Sequence, residues 1–177
     1  MSNDPLTKLK YPIGLYTPPD IILQHHVDTW IDQMASLPAQ IISLAERATE
    51  NQLDTPYRPG GWTIRQVIHH IPDSHVNSYI RFKWALTEDN PTIKAYDEVT
   101  WAELYDTKDL PIQVSLDFLE VVQAKLVLVI KGMSEDQLKR TFVHPESGRK
   151  TSLDWNVGMY AWHGAHHLAH IQSVVNR

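Results

Sequence analysis

Apolar side chains recur at intervals of three and four residues along most of this chain, which is the periodicity of amphipathic α-helices. Four long segments carry the pattern, and they predict helices over residues 20–49, 64–88, 111–131 and from 153 almost to the C-terminus. The strict alternation of a half-buried strand is not found in the sequence. The pattern therefore predicts an all-α fold, a four-helix bundle with long connecting loops, in a single domain of residues 1–177.

Local sequence signals mark the ends and the weak points of these helices. Thr63 and Gln66 have the spacing of a capping box, which satisfies free backbone N–H groups at a helix start. Thr151 and Asp154 have a related spacing, and we expect them to open the fourth helix. Pro38 lies inside the first helix, and because proline has no backbone N–H we expect it to kink or split that helix.

The segments between the helices are predicted to be mostly irregular. Residues 1–19 are rich in proline and predict an extended N-terminal arm without regular structure, whose apolar residues pack on the body of the protein. Residues 89–110 and 141–150 are expected to be loops, and a short helical turn is expected over 135–140. A connection as long as 89–110 is what a crossover between parallel helices requires.

Composition narrows the chemistry that the bundle can support. The chain has no cysteine, which excludes disulfides, thiolate nucleophiles and cysteine-bound zinc. A net charge of −5 without a basic block argues against a nucleic-acid partner. The sequence has no apolar run with the form of a signal sequence or the length of a membrane span, so we expect a cytoplasmic protein without a membrane partner.

Four of the ten histidines lie in the fourth predicted helix, between residues 163 and 170. His163 and His167 are four residues apart, as are His166 and His170, so each pair projects from one face of the helix. Such a pair can place two imidazole nitrogens on one metal ion. On a helical wheel, His163 and His167 lie closer to the apolar side than His166 and His170 do.

A third ligand is expected on the second helix, where the periodicity leaves the choice open. This helix contains His69, His70 and His75. The helical phase places His75 within the apolar stripe and His70 at its edge. Pro72 interrupts the helix between them, however, and shifts the phase on which this choice depends.

Several motifs together resemble the YfiT-type branch of the DinB superfamily, and the resemblance covers nearly the whole chain. The motifs are Tyr11-Pro12-Ile13-Gly14, the run from Gly60 to His70, Asp73-Ser74-His75, the run from Tyr79 to Lys83, His144-Pro145-Glu146, and the run from Tyr160 to His170.

This resemblance implies a DinB-type four-helix bundle with an up-down-down-up course and one divalent metal per chain, Ni²⁺ or Zn²⁺. Matched residue by residue, the family's metal ligands fall on His70, His163 and His167. Proteins of this branch are described as metal-dependent hydrolases of small-molecule substrates and often as homodimers. Some relatives look like S-transferases that use low-molecular-weight thiols such as bacillithiol or mycothiol.

Three neutral imidazoles would leave a divalent metal with its full charge and at least one open position, which is a catalytic arrangement. A metal-bound water could attack an ester or amide, and a metal-bound thiol could attack an electrophile. A non-enzymatic metal-binding stress protein is a further alternative. No general base is evident from the motifs, and Asp73, Glu98 and Glu146 are the candidates.

Hydrogen-bond partners for the ligand imidazoles are also expected. Asn77, Asp154 and Asn156 are the candidates that the sequence offers. We expect His166 and His170 to support the ligands, to line the rim of the site or to face a dimer partner.

Overall fold

Four long helices form the body of the protein in a computed structural model that describes residues 5–177. In chain order the elements are α1 (Pro5–Lys10), α2 (Gln24–Ala45), α3 (Glu50–Leu53), α4 (Ile64–Thr87), α5 (Glu98–Trp101), α6 (Tyr105–Asp109), α7 (Ile112–Lys131), α8 (Glu135–Leu138), β1 (Thr141–Val143), β2 (Lys150–Ser152) and α9 (Leu153–Val175). Helices α2, α4, α7 and α9 correspond to the four predicted helices. The predicted fold class is therefore confirmed.

The four long helices pack as a closed ring in which consecutive helices are not always neighbours. Helix α2 packs against α7 and α9, and α4 packs against the same two helices. Helices α2 and α4 therefore lie diagonally across the bundle, and so do α7 and α9. The site described below lies where α4 faces α9.

Side-chain contacts between the helices give their directions. Trp30 and Leu37 of α2 lie against Gly158 and Gly164 of α9 in the same order, so these two helices are parallel. Helices α4 and α7 are also parallel, because His69 contacts Ser115 and His75 contacts Gln123. Helices α4 and α9 are antiparallel, because His70 contacts His163 and Ser78 contacts Asn156. This is the expected up-down-down-up course, and the long segment between α4 and α7 is its crossover.

The apolar core is divided into two clusters by a layer of buried polar side chains. One cluster includes Ile41 and Ile68, and the other includes Phe82 and Leu126. Each fully buried side chain of this size stabilises the fold by about 1.5–3 kcal/mol. The polar layer between the clusters contains Ser74, His75, Gln123 and His167, all of which are buried.

The start of α4 forms as the sequence predicts, but Pro38 does not split α2. The side chain of Thr63 accepts a hydrogen bond from the Gln66 amide, and the Gln66 side chain accepts one from the Thr63 amide. In α2, Pro38 leaves the carbonyl of Met34 without its helical donor. The amide Nε2 of Gln123 on α7 donates to that carbonyl at 2.9 Å. A bond from a neighbouring helix therefore replaces the missing one, and α2 continues through the proline.

The segment predicted as the loop 141–150 contains a small β-hairpin. Strands β1 and β2 pair antiparallel, with Phe142 opposite Thr151, and both of these residues are buried. Strands of three residues are too short for an alternating pattern to be recognised. Because Thr151 belongs to β2, the cap predicted at Thr151 and Asp154 is wrong. The N-cap of α9 is Ser152, and the Asp154 carboxylate accepts from the Trp155 amide and pairs with Lys139.

The N-terminal arm is not wholly irregular, because residues 5–10 form the short helix α1. Residues 1–4 of the predicted arm lie outside the described residues. The arm packs on α9, as expected: the indole of Trp162 donates to the Gly14 carbonyl at 3.2 Å, and the Tyr16 hydroxyl donates to the Trp155 carbonyl at 3.3 Å. The predicted loop 89–110 likewise contains two short helices, α5 and α6. No helix in the described part of the chain is long and apolar enough to cross a membrane.

Candidate metal centre

Three histidines from the facing sides of α4 and α9 converge in the structure. His70 comes from α4, and His163 and His167 come from successive turns of α9. One ring nitrogen from each of the three lies within 4.8 Å of the others. The Nε2 atoms of His70 and His163 are 3.3 Å apart. This spacing is short enough for one ion to contact all three nitrogens after small side-chain adjustments.

Close helix packing sets the position of these side chains. Gly164 lies between the two α9 histidines, and a Cβ atom at this position would come within 2.4 Å of Leu37 Cδ2. The absence of a side chain at Gly164 therefore lets α9 lie close to α2. The ring of His70 packs against the indole of Trp62 with a centroid distance of 4.7 Å. His69 faces α7 instead, where its Nδ1 lies 2.7 Å from the Ser115 hydroxyl.

A chain of hydrogen bonds runs from His163 across the bundle to α2. Nδ1 of His163 lies 3.4 Å from Nε2 of His75, and Nδ1 of His75 lies 2.6 Å from Oε1 of Gln123. Nε2 of Gln123 in turn donates to the carbonyl of Met34, whose helical donor is missing because of Pro38. We call this chain the His75–Gln123 relay.

The relay determines which nitrogen of His163 carries its proton. The Met34 carbonyl can only accept, so the NH₂ group of Gln123 faces it and Oε1 faces His75. His75 must then carry its proton on Nδ1, which leaves its Nε2 as an acceptor for the Nδ1–H of His163. The Nε2 lone pair of His163 is therefore free and points towards His70.

His170 orients His167 in a similar way. Nε2 of His170 lies 3.2 Å from the carbonyl of Leu9 and must donate to it, so Nδ1 of His170 is an acceptor. That Nδ1 lies 3.4 Å from Nδ1 of His167, which can donate to it. The ring of His170 is held by stacking on Tyr57 at 3.8 Å between centroids. The lone pair left on His167 is then on Nε2.

His166, His167 and His170 form a second group with nitrogens within 4.8 Å. Because the lone pair of His170 accepts from His167, this group supports the first one and does not form an independent site. His166 lines the cavity next to the three converging histidines and stacks on Trp162 at 4.7 Å. His170 therefore supports a converging histidine, and His166 lies at the rim.

Burial keeps the converging histidines neutral. Burial, followed by the charges of His75 and His166, lowers the pKa of His70 to about 3. Burial, followed by the charges of neighbouring histidines, also holds the pKa values of His163 and His167 well below the ordinary value. Neutral imidazole is the form that binds metals. Among the described residues the converging group consists of three neutral imidazoles, a ligand set that fits a divalent transition metal such as Zn²⁺ or Ni²⁺.

The three histidines form part of the wall of a cavity of about 500 Å³. Of the three carboxylates expected as candidate bases, Glu98 and Glu146 line this cavity and Asp73 does not. Asp73 is half-buried beside Asp106, and burial followed by the charge of Asp106 raises the pKa of its carboxyl to about 6.

The hydrogen-bond partners expected from the sequence for the ligand imidazoles are wrong. Asn77 donates to the Asp73 carbonyl, Asp154 pairs with Lys139, and Asn156 donates to Ser78. The observed partners are His75 and His170. One signal in the sequence was available, since Gln123 is a polar residue inside the apolar stripe of α7 between Val122 and Leu126. The helical phase was correct that His75 is buried, and the motif was correct that His70 faces α9.

Known proteins resemble this chain over most of its length. The profile of the DinB superfamily matches residues 33–171. A Bacillus cereus protein, provisionally named a metal-dependent hydrolase, is 50% identical over 172 residues, which cover 97% of this chain and 98% of that protein. A Bacillus anthracis protein with the same provisional name is 49% identical over 172 residues, with the same coverage.

Solved structures show the same fold. YfiT from Bacillus subtilis, described provisionally as a metal-dependent hydrolase with an unusual four-helix bundle topology, superposes with a TM-score of 0.93 at 44% identity. The match covers 96% of this chain and 97% of that one. The mycothiol-dependent maleylpyruvate isomerase superposes with a TM-score of 0.61 at 19% identity, over 83% of this chain and 61% of that one. At this identity the second likeness concerns the fold alone.

Proposed function

Because the chain belongs to the DinB superfamily, we propose that it is a metal-dependent hydrolase in which His70, His163 and His167 bind one divalent metal, Ni²⁺ or Zn²⁺. The observation that carries the proposal is the convergence of three neutral imidazoles whose ring nitrogens lie within 4.8 Å of one another. The hydrogen bonds of His163 and His167 support it, because each leaves an Nε2 lone pair available.

A divalent metal at this position would polarise a substrate carbonyl and lower the pKa of a coordinated water to about 7. The side chains around the metal would orient its ligands and form the wall of the cavity. The His75–Gln123 relay holds the ring of His163 in one orientation. Trp62 and Trp162 line the cavity beside the three histidines.

Two carboxylates of the cavity wall, Glu98 and Glu146, are placed to accept and return a proton. Both are exposed and line the same cavity as the three histidines. Neither carboxylate forms an ion pair within residues 5–177. We therefore propose that general acid–base catalysis comes from this wall and not from Asp73, which lies outside the cavity.

The hydrolase proposal is tested by turnover of the metal-loaded protein on a panel of carboxylic esters and amides. The expected result is metal-dependent cleavage of at least one substrate class, which is lost on chelation. His163→Ala should also lose it, while keeping the wild-type circular dichroism spectrum. Absence of cleavage over the whole panel by fully loaded protein would contradict the proposal.

Thiol S-transfer is a second candidate, and one observation favours it. Two adjoining cavities meet at His163, so a thiol and an electrophile could approach the site from separate sides. The same loaded protein incubated with monobromobimane, with and without bacillithiol, separates the candidates. Thiol-dependent conjugation without ester or amide cleavage would identify an S-transferase, and no turnover of any kind would favour a non-enzymatic metal-binding protein. The identity of the metal, the homodimer and the cytoplasmic location stay predictions.

A further inference from the structure

Two cavities open on either side of a shared wall next to the proposed metal site. The first, of about 500 Å³, contains the three converging histidines, and we call it the polar cavity. The second, of about 440 Å³, is lined by Phe142, Trp155 and Met159, and we call it the apolar cavity. The residues that border both are Arg81, His144, Glu146, Tyr160 and His163.

Arg81 stands out in this wall because its guanidinium group is poorly satisfied. Its Nη1 makes one long hydrogen bond, at 3.4 Å, to the Tyr160 hydroxyl. Its Nε is buried and has no hydrogen-bond partner. Within residues 5–177 it forms no ion pair. A buried donor without a partner is costly, and the cost is greater for a charged group.

Two other arginines show what a satisfied guanidinium looks like here, whereas Arg58 also has a buried Nε without a partner but is not among the lining residues of either cavity. Arg65 pairs with Glu50 at 2.6 Å and with Asp54 at 2.9 Å. Arg140 donates to the carbonyls of Ala85 and Glu88. The Nε of Arg81, on the guanidinium edge that it shares with Nη2, has no such partner, and Arg81 lines both cavities. A guanidinium edge of this kind offers two parallel N–H donors, which match the two oxygens of a carboxylate.

Arg81 brings a positive charge to the shared wall, and within residues 5–177 no ion pair neutralises it. Glu98 and Glu146 are exposed and unpaired with Arg81. A bound divalent metal would add a second cation to that of Arg81, so a substrate that spans the two would carry negative charge on the Arg81 side.

We propose that the substrate carries a carboxylate bound by the Nε–Nη2 edge of Arg81 and an apolar group that enters the apolar cavity. The bond to be cleaved then lies at His163, which borders both cavities. This inference rests on the proposed metal site, and it narrows the substrate class to amphiphilic carboxylates. Such molecules include acyl derivatives in which an apolar chain and a carboxylate flank an ester or amide.

The test measures binding, not turnover, with the zinc-loaded protein and isothermal titration calorimetry. The probes are benzylsuccinate, which has an aryl group and two carboxylates, and its two monoamides, in which one carboxylate is replaced by a neutral carboxamide. The variant is Arg81→Met, and the matched control is Lys83→Met, which removes an exposed cation from the same helix. Metal content and circular dichroism are measured for each protein before titration.

The expected result is a coupling between Arg81 and one carboxylate of the probe. Arg81→Met should weaken benzylsuccinate binding by about tenfold to a hundredfold, as expected for a charge-assisted bidentate contact. The same variant should change the affinity for one of the monoamides by less than about twofold, because the contact is already absent. Lys83→Met should bind all three probes as the wild type does.

Three outcomes would overturn the inference. They are undetectable binding of benzylsuccinate to loaded wild type at 10 mM probe, equal losses for Arg81→Met on all three probes, and a loss in Lys83→Met as large as that in Arg81→Met. Failure of the hydrolase proposal is distinguishable from these. A protein that cleaves no ester or amide but shows the coupling would contradict the proposed reaction and leave the carboxylate site standing.

Discussion

Replacement of Gln123 by methionine should weaken metal binding at a site that Gln123 does not touch. The side chain is 1% exposed and makes two hydrogen bonds, one from His75 Nδ1 at 2.6 Å and one to the Met34 carbonyl at 2.9 Å. Methionine has a similar length and shape but can make neither bond. His75 would then no longer be restricted to carrying its proton on Nδ1, and His163 would lose its fixed acceptor.

The size of the effect follows from these contacts. Gln123→Met leaves a buried donor on His75 and a buried acceptor on Met34, each of which costs about 1–3 kcal/mol. The added apolar contacts of methionine offset part of this, so the free energy of unfolding of the metal-free protein should fall by about 2–4 kcal/mol. The metal dissociation constant should rise by about tenfold to a hundredfold, as is typical when a bond that orients a ligand histidine is removed.

Two measurements on the same samples separate these effects. Urea unfolding of metal-free protein gives the loss of stability, and competition with a chromophoric chelator gives the metal dissociation constant. Gln113→Met is the matched control, because Gln113 is exposed on the same helix and bonds only to Asp117. It should change neither quantity by more than about 0.5 kcal/mol. Wild-type metal affinity in folded Gln123→Met would refute the role of the relay.

Three further substitutions test the packing of α2 on α9, the burial of Asp73 and the support of His167 by His170. Gly158→Ala should lower the midpoint of thermal unfolding, because the added Cβ would lie 2.8 Å from the Trp30 ring and would also meet the Tyr16 hydroxyl. Overpacking of this kind costs about 1–3 kcal/mol. An unchanged midpoint would contradict the close approach of α2 and α9. Asp73→Asn should stabilise the protein at pH 7, because burial raises the folded-state pKa of Asp73 to about 6 and its contribution to stability is lost as pH rises from about 4 to 6. In urea unfolding, the stability of Asp73→Asn relative to wild type should therefore increase by about 1 kcal/mol across this range, after solvent screening, and a constant difference would contradict the raised pKa. His170→Phe keeps an aromatic ring but removes the acceptor for His167, so chelator competition should show metal binding about tenfold weaker, and no change would remove His170 from the site.

The sequence predicts the long helices well because their signals are local. The Thr63–Gln66 capping box is an example, since both partners lie within one turn. The sequence did not show that α2 continues through Pro38, because the compensating donor, Gln123, is 89 residues from Met34 along the chain and reaches it only after α7 packs on α2. The β-hairpin was missed because strands of three residues give no detectable alternation.

Part of the candidate site could also be predicted, because its sequence signals are local. The spacing of His163 and His167 is a local property of one helix, and a family motif pointed to His70 as their partner. His170 was expected from the sequence as one possible support, because it lies within one turn of His167 on the same helix. The role of His75 could not be identified from spacing, because it depends on how α4, α7 and α9 face one another. The unsatisfied edge of Arg81 is likewise a property of the folded wall, because the sequence does not show which carboxylates fail to reach it.

Metal content shows directly whether His70, His163 and His167 bind a metal ion. Wild type, His163→Ala and His166→Ala, purified after exposure to excess Zn²⁺ or Ni²⁺ and desalted, are compared by elemental mass spectrometry. We predict about one metal ion per chain in wild type and almost none in His163→Ala. His166→Ala should also bind about one metal ion, because the His166 ring lines the cavity but is not one of the three converging rings. Full occupancy in His163→Ala, or loss of metal in His166→Ala alone, would contradict this prediction.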